Sequence, residues 1–366
     1  MRNGRLIRPL AWGGQHIARL ARSEVFAPDE IAIIHCIART NRRCFLLGDD
    51  PISGKNFDHH KLWIEERLKL QASAFGIDLL AYAILSNHMH LVLRSRPDIF
   101  EQWSDEDVAR KWLILCPPQK LQPDRIEQSD IDMIIKDPAK LGETRSRLSD
   151  VSWWMRLLNQ TVAQHANRED DEVGKFWQAR YRAVRLLDET ALVACAAYVD
   201  LNPIRAAMAE TIETSDFTSA QQRARRVPAD AGPAAHPADE ERPAEFLSPV
   251  ALDEASGEPG PCQHAGDARC SDKGFLPLPE AAYLQLLDWT ARQLKADKRG
   301  ATPKCARALF DRLGITRSQW LSLVGDFGKL FSVMAGQPNR IDTHRPRGGG
   351  QVYRCPRAAR QLLNSA

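Results

Sequence analysis

The hydrophobic and polar positions of the first hundred residues predict strands and helices in alternation. Residues 30–39 form a β-branched, apolar run typical of a central strand, and residues 57–74 place apolar side chains at helical spacing among charged ones. A second apolar strand is predicted at 77–85, and the short polar turn Ser86-Asn87 leads into a third at 88–94. This order predicts a split β-α-β unit with an antiparallel sheet, which is an α+β fold.

The pattern resumes after a polar interruption. Residues 101–150 are broken by prolines, which predicts a mostly helical or irregular insertion. A clear helix is predicted at 151–167, and the alternating segment 175–187 predicts a strand or a paired extended arm. Asp188 is placed to cap a further helix that runs through Leu201.

The composition is typical of a protein with a hydrophobic core and no membrane span. The chain has 366 residues, of which 43% are apolar and 27% charged, and this length favours more than one domain. No run of about 18 apolar residues occurs, so no membrane helix and no membrane partner are expected. The eight cysteines are dispersed without a C-x-x-C pair, which indicates reduced thiols in the cytoplasm.

Composition divides the chain into four parts. Residues 1–24 are an N-terminal extension without the continuous apolar segment of a secretory signal, and residues 25–226 carry the pattern of strands and helices. Residues 227–274 are rich in proline, alanine, glycine and acidic side chains, which predicts a disordered linker. Residues 275–366 regain helical periodicity and predict a small C-terminal helical module.

The charge is distributed unevenly between these parts. From residue 290 onward, 15 lysines and arginines face 4 acidic residues, a net charge of about +11, whereas the preceding 289 residues carry 35 against 43. The basic C-terminal module is therefore the electrostatic candidate for binding a polyanion.

Two histidines one residue apart mark the third predicted strand. Successive strand residues point to opposite faces, so His88 and His90 share a face and lie roughly 7 Å apart along the backbone. Two imidazoles at this spacing can lean onto one divalent cation. The alternative interpretation is a pair of ordinary, half-exposed strand histidines.

A tyrosine and an asparagine at helical spacing are the second chemical feature. Tyr198 and Asn202 are four residues apart, so both side chains project from one face if the helix continues across them. A phenol and an amide oxygen held side by side can supply a nucleophile and a third metal ligand. The alternative is a buried helical tyrosine, with Asn202 capping a new helix that starts at Pro203.

These two segments resemble a known family. Leu85-Ser86-Asn87-His88-Met89-His90-Leu91 resembles the histidine-hydrophobic-histidine (HUH) motif of the single-tyrosine transposases. Tyr198-Val199-Asp200-Leu201-Asn202-Pro203-Ile204-Arg205-Ala206 resembles the signature of the REP-associated tyrosine transposases. Weaker similarity lies in 35–39 and 176–181, and the resemblance covers roughly residues 25–215. Ser86 replaces a usual proline and Asp200 a frequent histidine, but neither position is a predicted ligand or the nucleophile.

The resemblance implies a fold and a mechanism. The fold is the HUH endonuclease fold, a ferredoxin-like antiparallel sheet with helices on one face. His88, His90 and Asn202 would hold Mg²⁺ or Mn²⁺ on a phosphate of single-stranded DNA, and Tyr198 would attack that phosphate and form a 5′-phosphotyrosine intermediate. The substrate would be hairpin-forming repeat DNA. The enzyme would be a cytoplasmic, nucleoid-associated transposase that could form a homodimer.

Two other functions remain open from the sequence. One is a catalytically silent, sequence-specific DNA-binding protein or regulator derived from a transposase, although a pure binder needs neither the two histidines nor the tyrosine. The other is a metal phosphodiesterase with a water nucleophile, in which the tyrosine is redundant. Tyr181 is the competing nucleophile, but no carboxamide lies four residues beyond it.

Overall fold

A computed structural model of the chain describes residues 25, 30–41, 45–51, 53–118, 126–171, 173–226, 245–252, 268–295, 301–344 and 353–364. The strands are Ile33–Arg39 (β1), Ile77–Ile84 (β2), His88–Ser95 (β3), Arg182–Leu186 (β4) and Met334–Ala335 (β5). The helices are His59–Ala74 (α1), Pro97–Phe100 (α2), Asp105–Leu115 (α3), Gln128–Ile135 (α4), Pro138–Ser149 (α5), Val151–Glu169 (α6), Glu189–Asp200 (α7), Asn202–Arg205 (α8), Ser219–Ala224 (α9), Glu280–Leu294 (α10), Lys304–Leu313 (α11), Arg317–Leu330 (α12), Pro338–His344 (α13) and Arg357–Leu363 (α14).

The strands form one sheet in the order β2-β3-β1-β4-β5. The first four strands pair antiparallel, and β2 and β3 are joined by the predicted turn at Ser86-Asn87. Strand β5 pairs with β4 in parallel, so the whole sheet is mixed. The predicted α+β class is therefore confirmed, and the predicted purely antiparallel sheet holds for β1 to β4.

Helices cover both faces of this sheet. Helices α1 and α6 pack on one face, where β1 and β3 contribute the residues that alternate with the histidines. Helices α7, α10 and α12 pack on the other. The expectation of helices on one face is thus wrong. The physical reason is that β2 is buried along its whole length, and β1 and β3 nearly so, which requires cover on both sides.

The insertion at 101–150 is helical. Helix α3 begins with a capping box in which Ser104 and Asp107 exchange side-chain and backbone hydrogen bonds, an arrangement that satisfies two orphan donors of the first turn. Apolar residues of α3, α4 and α5 join the hydrophobic cluster of α1 and α6. The insertion therefore extends the core on this side of the sheet.

The C-terminal helices share a hydrophobic core with α7. Phe327 of α12 and Tyr283 of α10 belong to the same buried cluster as Val193 and Ala197 of α7. The Tyr283 hydroxyl donates a 2.7 Å hydrogen bond to the buried carboxyl of Asp200. Together with the pairing of β5 on β4, these contacts fix the C-terminal helices against the sheet.

The predicted linker and N-terminal extension fall largely on positions 1–24, 227–244 and 253–267, which lie outside the described residues. Within the predicted linker, 245–252 and 268–274 are described, and they pack on the sheet. The Ser248 amide donates to the Leu79 carbonyl at 3.0 Å, and Arg94 donates to the Gly274 carbonyl at 2.9 Å. None of the helices described combines the length and the apolar character that crossing a bilayer requires.

Candidate metal and nucleophile site

The predicted histidine pair lies on the sheet face that α7 covers. His88 and His90 of β3 have ring centroids 5.0 Å apart, and a third histidine joins them from the central strand. That histidine is His35, whose ring stacks on His90 at 5.1 Å. His35 lies diagonally across the β1–β3 pair from His90, since Ile37 is the residue directly opposite His90.

The hydrogen bonds of the histidines leave lone pairs available. The carboxamide oxygen of Asn87 lies 2.7 Å from Nδ1 of His88, and because that oxygen can only accept, Nδ1 carries the proton and Nε2 a lone pair. Nε2 of His35 lies 2.8 Å from Nδ1 of His90. If His90 donates in this bond, its own Nε2 is also a lone pair. That Nε2 is buried and has no hydrogen-bond partner among the residues described.

The environment keeps these histidines neutral. Burial, with a contribution from Arg182, lowers the pKa of His35 to about 3, and burial with Arg39 lowers the pKa of His88 to about 3. Burial is also the main cause that lowers the pKa of His90 well below its usual range. A metal ion binds only the unprotonated imidazole, so these shifts favour binding across the physiological pH range.

Tyr198 of α7 lies directly over the histidines. Its ring centroid is 5.5 Å from that of His90 and 6.0 Å from that of His35. The guanidinium of Arg205 lies 4.6 Å from the ring centroid of Tyr198. Burial raises the pKa of the Tyr198 phenol, whereas the charge and hydrogen bond of Arg205 act in the opposite direction.

Asn202 is buried and lies four residues after Tyr198 in the sequence, but it belongs to a separate helix. Helix α7 ends at Asp200, Leu201 leaves helical geometry at φ −89° and ψ 3°, and Asn202 opens the short helix α8. The side-chain amide nitrogen of Asn202 is buried and lacks a hydrogen-bond partner within the described part of the chain. A 180° turn of the amide exchanges its oxygen and nitrogen, so an oxygen ligand is equally compatible with this position. Its role as the third ligand stays a prediction.

The residues present fit a divalent cation. Neutral imidazole nitrogen and carboxamide oxygen are donors that Mn²⁺ accepts, and carbonyl oxygen also suits Mg²⁺. Buried polar atoms normally have a partner, and His90 Nε2 and the Asn202 side-chain amide lack a hydrogen-bond partner among the described residues, as groups reserved for an ion would. Mg²⁺ prefers oxygen ligands and usually retains several waters. A site with two nitrogen ligands therefore favours Mn²⁺.

Tyr181 lies on the other side of the sheet from these histidines. Its side chain belongs to the hydrophobic cluster of α1 and α6, and its hydroxyl donates to the Ser152 hydroxyl at 3.3 Å.

The sequence alone did not assign a role to His35 or Arg205. The available signal for His35 was a single histidine in an otherwise apolar central strand, whereas Arg205 lay within the tyrosine motif itself.

A second group of metal-ligating residues lies on the opposite face of the sheet. His59 and His60 at the start of α1 meet Glu169 at the end of α6, and their ligand atoms all lie within 4.8 Å of one another. Such a group can hold a metal ion. It shares no residue with the predicted set His88, His90 and Asn202.

Comparisons with known proteins add one structural similarity. A solved structure of a REP-associated tyrosine transposase bound to a REP hairpin matches 57% of this chain and 92% of its own, with 12% sequence identity and a TM-score of 0.29. No protein-family model matches the chain, and no curated protein matches it.

Proposed function

We propose that this protein is a transposase-like DNA strand transferase that cleaves single-stranded DNA through Tyr198. The supporting observation is the position of the Tyr198 phenol, whose ring centroid lies 5.5 Å from that of His90 on the strand with the paired histidines. The sequence places these groups 108 residues apart, and they meet only because α7 packs across β3. A buried tyrosine over neutral histidines has the composition of a phosphoryl-transfer site.

The surrounding charge favours a phosphate. Arg182 and Arg205 both act on Tyr198 through their charge, and Arg39 acts in the same way on His88 and His90. Guanidinium groups bind phosphate with two parallel N–H donors, and the phosphate backbone supplies most of the affinity for nucleic acids. A DNA strand is therefore the substrate class that this environment supports best.

The proposed step exchanges one phosphodiester for another. The Tyr198 oxygen forms a bond to phosphorus, and the bond from phosphorus to the 3′-oxygen breaks. The phenol loses its proton and the departing 3′-oxygen gains one, which leaves a 5′-phosphotyrosine and a free 3′-hydroxyl. Arg205 assists by stabilising the phenolate, since its charge and hydrogen bond oppose the effect of burial on the Tyr198 pKa more than the charge of Arg182 does.

His88, His90 and Asn202 would hold the metal ion, Mg²⁺ or Mn²⁺, against the scissile phosphate. When bound, this ion would offset the charge that develops on the phosphate oxygens. His35 would orient His90 through the Nε2 to Nδ1 hydrogen bond, and Asn87 would do the same for His88. Hairpin-forming repeat DNA is the proposed substrate, by the resemblance of the two motifs.

One observation favours a second candidate, a DNA-binding regulator without chemistry. Tyr198 is only 7% exposed, and Phe327 of α12 packs against it with ring centroids 5.7 Å apart. A phenol covered in this way must be uncovered before it can reach a phosphate. A protein that has exchanged catalysis for binding would retain this closed arrangement.

A covalent adduct separates the two candidates. Purified protein is mixed with a 5′-labelled or 3′-labelled hairpin oligonucleotide carrying single-stranded flanks, with Mn²⁺ or with excess chelator, and resolved on a denaturing gel. The proposal requires a protein–DNA adduct that depends on the metal and carries the strand on the 3′ side of the cut. Tight hairpin binding without any adduct would instead support the regulator.

A further inference from the structure

The start of α1 and the end of α6 are joined by a compact group of two histidines and one glutamate. Nε2 of His59 lies 2.8 Å from one carboxylate oxygen of Glu169 and 3.0 Å from the other. Nε2 of His60 lies 2.9 Å from the second of these oxygens. The three side chains converge although Glu169 is more than a hundred residues from the histidines in sequence.

The hydrogen bonds of His60 determine where its proton lies. Nδ1 of His60 is 2.8 Å from the backbone carbonyl oxygen of Leu46, and this oxygen can only accept. In the neutral ring the proton is therefore on Nδ1, and Nε2 presents a lone pair to Glu169. A lone pair 2.9 Å from a carboxylate oxygen is repulsive unless a cation, either a second proton or a metal ion, is shared between them.

We propose that His59, His60 and Glu169 bind a divalent transition-metal ion, with Zn²⁺ as the best match. Two imidazole nitrogens and one carboxylate oxygen form a known zinc ligand set in which water occupies the fourth position. The backbone bond of His60 Nδ1 is the arrangement that fixes the tautomer of a metal-binding histidine. The alternative, a charged imidazolium at His60, places that charge in a ring with no exposed surface.

The solvent access and the spacing of the ligand atoms also suit a metal site. The side chains of His59 and Glu169 are 39% and 43% exposed, so an ion and its water can enter from solvent. Trp63 stacks on the His60 ring at 4.6 Å and forms the inner wall. Zinc bonds of about 2.0–2.1 Å would separate the ligand atoms by roughly 3.3 Å. Each imidazole nitrogen lies 2.8–3.0 Å from the carboxylate oxygens, only slightly less than this separation.

This site is independent of the proposed cleavage site. The histidines of β1 and β3 face α7, whereas α1 and α6 pack on the other face of the sheet. The ion would tie the two helices that cross this face. The site can therefore be present whether or not Tyr198 cleaves DNA.

The test measures Zn²⁺ binding by the full-length chain in a His88→Ala background, which prevents the strand histidines from contributing. Protein treated with EDTA and desalted is titrated with Zn²⁺ in competition with a chromophoric chelator, and Co²⁺ absorption reports the ligand geometry. His59→Ala and Glu169→Gln remove partly exposed ligands with little risk to folding. His165→Ala is the matched control, an exposed histidine of α6 that stacks on Trp63.

We expect one equivalent of Zn²⁺ in the background and control chains, and at least about a tenfold loss of affinity in the His59 and Glu169 variants. Zn²⁺ should also raise the melting temperature of the background chain but not of Glu169→Gln. If the background chain binds no Zn²⁺, or all four chains bind it equally, the proposal is overturned and the contacts are an imidazolium–carboxylate ion pair. Neither result depends on DNA cleavage, so this test and that of the proposed function fail independently.

Discussion

Nε2 of His35 lies 2.8 Å from Nδ1 of His90, in a contact between two fully buried side chains. Both rings are neutral because burial lowers the pKa of each. One nitrogen of the contact must donate and the other accept. Only the arrangement in which His90 donates and His35 accepts leaves Nε2 of His90 free to bind a metal ion.

The first prediction follows from this tautomer. His35→Phe removes the acceptor, so the Mn²⁺ concentration for half-maximal adduct formation should rise about 10–100-fold, while adduct formation at saturating Mn²⁺ should be retained. His35→Gln keeps an acceptor oxygen and should stay within a few-fold of wild type. Metal titrations of the adduct assay measure this. Equal metal requirements in all three proteins would show that His35 does not orient His90.

The second prediction concerns the nucleophile. Tyr198→Phe removes only the phenolic oxygen, so the covalent adduct should be lost while the melting temperature and hairpin affinity change little. Tyr181→Phe is the matched control, because its hydroxyl bonds to Ser152 on the other side of the sheet. A denaturing gel reports the adduct, and a binding titration reports affinity. An adduct that survives in Tyr198→Phe but disappears in Tyr181→Phe would reverse the assignment.

The third prediction concerns acid stability. His35 and His88 have folded-state pKa values of about 3, against 6.5 in the unfolded chain. Below pH 6.5 the unfolded state therefore binds more protons than the folded state, and stability falls with pH until the folded-state pKa is reached. Each histidine contributes a slope of up to about 1.4 kcal/mol per pH unit within this window.

Replacing one of these histidines should reduce that slope. His88→Gln is suitable because His88 is partly exposed and Gln can still bond to Asn87. Urea unfolding at several pH values between 4 and 7 should show that the variant gains on wild type as the pH falls. Parallel stability curves would mean that folding leaves the pKa of His88 unchanged.

Sequence reasoning recovered the local elements well. Helix α6 begins at residue 151 as predicted, and the β2–β3 hairpin and the Asp188 cap of α7 are found as expected. These features depend on local periodicity, turn residues and capping, all of which can be read within a short window. The same window placed His88 and His90 on one strand face.

The same reasoning could not predict contacts between segments that are far apart in the sequence. His35 meets His90 through the pairing of β1 with β3, and Glu169 meets His60 through the packing of α6 on α1. Neither pairing is specified by spacing along the chain. The cover of the second sheet face by α12 was missed for the same reason, because its apolar pattern predicts a buried helix but not the surface it covers.

The fourth prediction tests whether the C-terminal helices unfold together with the sheet. Phe327 is 1% exposed and packs against both His35 and Tyr198. Phe327→Ala should lower the free energy of unfolding by about 3–5 kcal/mol, the usual cost of truncating a buried phenylalanine. Urea unfolding monitored by two probes should show one cooperative transition. Met133→Ala, at a position that is 67% exposed, is the control and should change stability little.

The contrary outcome has a clear form. If the C-terminal helices were a separate unit, Phe327→Ala would destabilise one early transition and leave a second transition at its wild-type midpoint. Limited proteolysis would then release a stable fragment that contains β1 to β4.

The last prediction concerns the positive charge of the C-terminal helices. Arg354 and Arg357 are exposed beside α14, in the part of the chain that carries a net charge of about +11. If both contact phosphates, replacing them with glutamine should reduce the slope of log affinity against log salt by roughly 1.4, since each contact on single-stranded DNA contributes about 0.7. The position of the cut should not change, because it depends on Tyr198 and the strand histidines.

The matched control replaces Lys136 and Lys140, two exposed lysines of the insertion, with glutamine. This replacement removes the same charge from the other side of the protein. Binding of a single-stranded oligonucleotide is measured for all three proteins from low to moderate salt. A non-specific effect of net charge would lower affinity equally in both variants, whereas a local contact changes the slope only for the Arg354 and Arg357 pair. An unchanged slope in that variant would mean that this end of the chain does not bind DNA, and a shifted cut would mean that it helps to select the cleavage point.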